Sequence, residues 1–144
     1  MKNAGHVVSL TVVCGLLIVP GLVTPGRGPE VNAQMKADVS YMADVFPLVK
    51  KKCLPCHAED NYNPSGLVLD SYETMMAGGE HGVPVQEGKG SESLLVQKLL
   101  DKPPFGDRMP LDMKKKKGEP SKKRLTDEEI RLITAWIDQG AQDN

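Results

Sequence analysis

The sequence predicts an all-α domain of four or five short helices with long loops. Apolar residues recur at spacings of three and four in several short segments, the pattern of a helix face packed on a core. No segment alternates apolar and polar residues in the way a half-buried strand does. Clusters of glycine and proline, drawn from 14 Gly and 11 Pro in 144 residues, separate these segments and predict the long connections.

The first 33 residues are predicted to be a secretory signal peptide, followed by a single domain over residues 34–144. Lys2 gives a positive start, residues 7–19 form an apolar run, and residues 31–33 supply small side chains for cleavage. The run is shorter than the roughly 20 apolar residues of a membrane helix. We therefore expect an exported, periplasmic protein with no membrane span after cleavage. An uncleaved N-terminal anchor is the alternative.

Four helices are expected in the domain. The first covers about residues 46–53, and the second covers residues 71–77, after a capping-box-like pattern that begins at Asp70. The third runs over about residues 91–101, with Ser91 as its cap.

The last predicted helix begins with a capping box made by Thr126 and Glu129. Trp136 lies on the apolar stripe of this helix. We expect it to pack against the first helix near Phe46 and Val49. The stripe consists of Ile130, Ile133, Trp136 and Ile137.

The stretch CLPCH, residues 53–57, carries the chemistry of the domain. On a helix, Cys53, Cys56 and His57 stand at positions i, i+3 and i+4 and share one face. Two thiols at a porphyrin edge and an adjacent imidazole directed at the iron are the attachment signature of haem c. A thiol–disulfide site would need a βαβ pattern, which this sequence lacks. A structural zinc site needs four ligands, and His81 would have to be the fourth.

The iron of a haem held by His57 has a sixth coordination position. A methionine thioether there raises the reduction potential and suits electron transfer. Met109 is the first candidate, because Pro110 restricts it to an extended backbone in a loop between two helices. Met113 and His81 are the other candidates.

The chain resembles planctomycete-type cytochrome c domains over about residues 40–141. The segments that carry this resemblance, in the family's order, are VFPLVKKKCLPCH, SGLVLDSYETMMAGGE, GKGSESLLVQKL, RMP and LTDEEIRLITAWIDQGA. The resemblance implies a class-I-like cytochrome c fold around one haem c, with the first and last helices packed together. It also implies that His57 and Met109 are the axial ligands. The chain departs from the family between residues 111 and 124, where relatives reach the last helix sooner.

These features predict a periplasmic monohaem cytochrome that carries single electrons between protein partners. Cys53 and Cys56 would hold the haem covalently. Nothing in the sequence resembles a substrate pocket with its own acid and base, so we do not expect an enzyme. The alternative is a haem-based sensor or small haem enzyme whose distal methionine is displaceable.

Charge along the chain bears on the partners of the protein. Net charge is −4 over residues 34–101, +6 over residues 102–124 and −4 over residues 125–144. Residues 114–117 form a single lysine run, and the domain as a whole is not positively charged. We therefore do not expect the protein to bind nucleic acid. The run is either a solvated loop or a docking site for redox partners with acidic faces.

Overall fold

The computed structural model describes residues 38–114, 116, 119 and 121–144. In these residues the chain is helical, with short α-helices, long loops and no strand, which confirms the predicted all-α class. None of the helices described is long and apolar enough to cross a bilayer. The predicted signal peptide, residues 1–33, lies outside the described residues, as do Lys115 and Lys117 of the lysine run.

Five α-helices follow one another in the described part of the chain. They are α1 (Phe46–Lys52), α2 (Leu54–His57), α3 (Tyr72–Ala77), α4 (Leu94–Gln97) and α5 (Asp127–Asp138). A π-helical turn, Tyr41–Val45, leads directly into α1, and a 3₁₀ turn, Gly90–Glu92, precedes α4.

The predicted first helix changes direction at Cys53. This residue ends α1, where its N–H donates to the carbonyl oxygen of Val49 at 2.8 Å, and it also caps α2. Its own carbonyl oxygen accepts from the N–H groups of Cys56 and His57 at 3.0 and 2.9 Å. CLPCH therefore forms a single closed turn, and that turn holds the two thiols and the imidazole together.

The start of α3 differs from the prediction. The N-cap is Ser71, and Thr74 completes its capping box. Asp70 does not cap the helix, because its carboxylate accepts a hydrogen bond from the N–H of Glu59 at 2.6 Å. The same carboxylate therefore ties the start of α3 to the segment that follows CLPCH.

The predicted helix over residues 91–101 is much shorter than expected. It begins after Ser93, not Ser91, and ends at Gln97. The hydroxyl of the fully buried Ser93 accepts from the N–H of Gln86 at 2.8 Å and donates to the Lys89 carbonyl at 2.9 Å. These hydrogen bonds join Ser93 to the loop before it, and Gly90–Glu92 form a 3₁₀ turn in place of the first turn of the predicted helix.

The last helix, α5, agrees with its prediction. Thr126 Oγ1 accepts from the N–H of Glu129 at 3.2 Å, and the Glu129 carboxylate accepts from the N–H of Thr126 at 2.8 Å. The predicted apolar stripe is buried. Gly90 packs directly against this helix, since a Cβ on Gly90 would lie 2.6 Å from the carbonyl oxygen of Thr134. The 3₁₀ turn before α4 thereby sits on the backbone of α5.

Trp136 joins the two ends of the domain. Its ring centroid lies 5.4 Å from that of Tyr41, and Phe46 packs on the other side of the pair, 5.6 Å from Tyr41. Trp136 was predicted to pack on the first helix near Phe46 and Val49, and the ring that meets the indole is that of Tyr41, in the π-helical turn that leads into α1. Hydrogen bonds reinforce this packing, because the N–H of Val39 donates to Gln139 Oε1 at 2.8 Å.

Candidate cofactor site

A cleft of about 760 Å³ opens beside α2. This volume is within the range of roughly 300–1,000 Å³ typical of ligand and cofactor sites. Its walls come from α2, α4, the loop after α2 and the loop that precedes the lysine run. Many of the side chains that line it are apolar, among them Leu67, Leu69, Pro84, Leu94, Leu95 and Leu99.

The predicted haem-binding residues all line this cleft: Cys53, Cys56, His57 and Met109. The two other candidates for the distal position, Met113 and His81, line it as well. Met109 is half-buried and packs against the hydrophobic core. The side chain of Met113 is 84% exposed. His81 stacks on the ring of Phe105, with centroids 4.4 Å apart.

The imidazole of His57 is held by a backbone carbonyl. Its Nδ1 lies 2.9 Å from the oxygen of Leu67. A carbonyl oxygen can only accept, so this contact is a hydrogen bond in the tautomer that carries the proton on Nδ1, and that tautomer leaves the lone pair of Nε2 for a metal. The Asn63 side-chain nitrogen also lies 3.1 Å from Nδ1. The side-chain N–H₂ group of Asn63 donates a hydrogen bond to the same Leu67 carbonyl oxygen. The Oδ1 of Asn63 accepts from the Ser65 hydroxyl at 2.8 Å.

The parts played by Asn63 and Leu67 were not predicted. The contact through Leu67 is made by its backbone, so no side-chain pattern in the sequence marks it. Gly79 completes this wall of the cleft, because a Cβ on Gly79 would lie 2.5 Å from the Ser65 carbonyl oxygen. Only a residue without a side chain lets the glycine-rich loop approach so closely.

The two thiols differ in exposure. Cys53 is half-buried and Cys56 is exposed, and both are free. Burial raises the pKa of the Cys53 thiol to about 11, and the neighbouring Cys56 adds to the rise. A reactive dithiol site has a lowered cysteine pKa, which favours the thiolate. The environment of Cys53 therefore argues against the thiol–disulfide alternative.

Within residues 38–114 and 121–144, no group of three or more His, Cys, Asp or Glu side chains is placed to hold a metal ion. His81, the fourth ligand considered for zinc, has its ring on Phe105.

The loop that bears Met109 is attached to Lys98, the C-cap residue that follows α4. The N–H of Met109 donates to the carbonyl oxygen of Lys98 at 2.7 Å. The ammonium of Lys98 donates to the Phe105 carbonyl at 2.6 Å and lies 4.6 Å from the centre of that ring. Arg108 and Asp101 form an ion pair across the same loop.

The charged residues on the cleft are mostly lysines. We call this set the lysine rim; it consists of Lys51, Lys52, Lys98, Lys122 and Lys123. Asp107 is the acidic residue among the side chains that line the cleft. The local charge is therefore positive, although the whole chain has a formal net charge of −1.

An all-α domain that gathers two thiols, an imidazole and a thioether on one apolar cleft has the features of the c-type cytochrome class. Residues 53–110 match the family model Planctomycete cytochrome C, which confirms the resemblance over that segment of the chain. The matched segment begins at Cys53 and ends at Pro110, so it contains both CLPCH and Met109. A match to this family indicates a c-type cytochrome, a class of protein whose cofactor is haem c. Neither a search of curated proteins nor a search of solved structures found a match.

Proposed function

We propose that this protein is an exported monohaem cytochrome c that carries single electrons between protein partners, with residues 34–144 folded in a cytochrome c-like manner around the haem. The convergence of Cys53, Cys56, His57 and Met109 on one cleft is the observation that carries this proposal. When bound, haem c supplies an iron that alternates between its ferric and ferrous states. Residues 1–33 act as the signal that exports the chain.

Cys53 and Cys56 hold the cofactor covalently. They stand at the start and near the end of one helical turn, and both line the cleft. When haem is bound, each S–H would add across one of its vinyl groups, with sulfur on one carbon and hydrogen on the other, so the attachment would consume no oxidant. The free state of both thiols suits this addition.

His57 provides the proximal ligand through Nε2. The hydrogen bond from Nδ1 to the Leu67 carbonyl fixes the ring and increases its basicity, as the outer partners of metal-bound histidines do. Met109 provides the distal ligand. It is favoured because it is half-buried and fixed at its backbone N–H, whereas Met113 projects into solvent.

Met109→Ala tests this assignment. Loss of the thioether is expected to lower the reduction potential on the order of 0.1 V, within the roughly 0.8 V over which axial ligands tune haems. It should also let the reduced protein bind carbon monoxide. Voltammetry and visible spectra with and without carbon monoxide measure both effects.

Met113→Ala is the matched control, and it should leave the potential and the spectrum unchanged. The opposite result, with Met113 needed and Met109 dispensable, would reverse the assignment. Tight binding of carbon monoxide by the reduced wild-type protein would instead support the sensor or enzyme alternative.

Acidic redox partners dock at the lysine rim in this proposal. The rim surrounds the cleft in which the haem would sit, so an anionic partner is attracted to the side from which electrons leave. A triple variant, Lys51→Gln with Lys122→Gln and Lys123→Gln, should slow oxidation by hexacyanoferrate(III) about tenfold at low salt. Added salt should remove most of the difference, because the Debye length falls to about 3 Å at 1 M.

The control changes three exposed lysines that do not line the cleft: Lys50, Lys89 and Lys102. Both triple variants carry the same net charge, so only the position of the charge differs. Stopped-flow rates that fall equally in the two variants would contradict docking at the rim.

A further inference from the structure

Lys98 contacts the loop that bears Met109 at two separate residues, Met109 itself and Phe105. Its backbone carbonyl accepts the N–H of Met109, and its ammonium donates to the carbonyl of Phe105, four residues earlier in the loop. The ammonium also lies over the Phe105 ring. One residue therefore fastens both ends of the segment from Phe105 to Met109, which we call the methionine segment.

We propose that the side chain of Lys98 is a positioning residue that keeps the thioether of Met109 at the iron. This inference rests on the proposed function. The backbone bond from Met109 fixes only one end of the methionine segment. The hydrogen bond from the ammonium to Phe105 fixes the other end. With both ends fixed, the backbone of the segment has fewer conformations, and the side chain of Met109 can point in fewer directions.

The other contacts of the segment are weaker restraints. The ion pair between Arg108 and Asp101 joins a guanidinium side chain that is 15% exposed to a carboxylate side chain that is 82% exposed, so solvent screens the carboxylate end of the pair. The stack of His81 on Phe105 joins two exposed residues. Lys98 holds the segment through two contacts of one ammonium, a charge-assisted hydrogen bond and a cation–π contact.

The prediction concerns competition between Met109 and an added ligand. In Lys98→Met the side chain keeps its length but loses the ammonium, so Met109 should leave the ferric iron more often. We expect the affinity for imidazole to rise about tenfold, the factor that corresponds to losing one hydrogen bond of a charged group. The thioether charge-transfer band should weaken in parallel.

Two further variants separate positioning from a general effect on stability. Lys98→Arg keeps a cationic donor and should restore an imidazole affinity close to that of the wild type. Lys102→Met removes an exposed lysine of the same loop and should change neither the band nor the affinity. If Lys98→Met and Lys102→Met behave alike, or if Lys98→Arg fails to restore the wild-type affinity, the positioning role is wrong.

Failure of this inference is distinct from failure of the proposed function. If haem is not attached at all, the proposed function fails. If haem is attached and Met109→Ala opens the iron while Lys98→Met matches the wild type, only the role of Lys98 fails.

Discussion

Replacement of both Cys53 and Cys56 by serine is expected to abolish covalent attachment of haem. Serine hydroxyls do not add to the vinyl groups, although the cleft and His57 remain. Each single variant should retain one link and attach haem in a reduced fraction of molecules. Denaturing gels stained for haem peroxidase activity, together with the intact mass of the protein, measure the attached fraction.

Cys14 is the matched control. Of the three cysteines in the sequence it is the one outside CLPCH, and it lies in the predicted signal segment. Cys14→Ser should leave haem attachment at the wild-type level. Haem that persists on the denatured double variant, or that is lost from the denatured wild type, would refute attachment through CLPCH.

Trp136→Ala is expected to lower the free energy of unfolding by ~3–5 kcal/mol. The side chain is 1% exposed and packs on Tyr41, so its removal leaves a cavity between the two ends of the domain. The change also removes the hydrogen bond that the indole N–H donates to the carbonyl oxygen of Gln142 at 2.9 Å. Urea denaturation followed by circular dichroism measures the loss.

The matched control for this variant is Met42→Ala, at a side chain that is 57% exposed in the same N-terminal segment. Its effect should stay within about 0.5 kcal/mol, as for other surface substitutions. A loss below about 1 kcal/mol for Trp136→Ala would show that α5 does not depend on the indole for its packing.

The sequence predicted those elements whose stabilising contacts are local. The capping box of Thr126 and Glu129 satisfies backbone groups within one helical turn, so residue spacing alone predicts it. The apolar stripe of α5 and the turn formed by CLPCH are local in the same sense. Their side chains face one direction as a consequence of helical geometry.

Elements set by hydrogen bonds between a side chain and the backbone of a nearby loop were not predicted. The hydroxyl of Ser93, the residue before α4, bonds to the backbone of Gln86 and Lys89 in a buried position, which no spacing rule shows. Asp70 has the right residue type for a cap, but the backbone of Glu59 occupies its carboxylate. In the cleft, the Leu67 carbonyl contacts His57 only because the loop after α2 folds back over the imidazole ring.

The link between Val39 and Gln139 spans 100 residues of sequence, and the contact of Tyr41 with Trp136 spans almost as many. Joining residues so far apart in the chain costs loop-closure entropy, which the turn formed by CLPCH requires to a much smaller extent. We therefore expect CLPCH to remain open to solvent in a nascent chain until α5 has joined the N-terminal segment, so that both thiols are accessible before the walls of the cleft assemble around them.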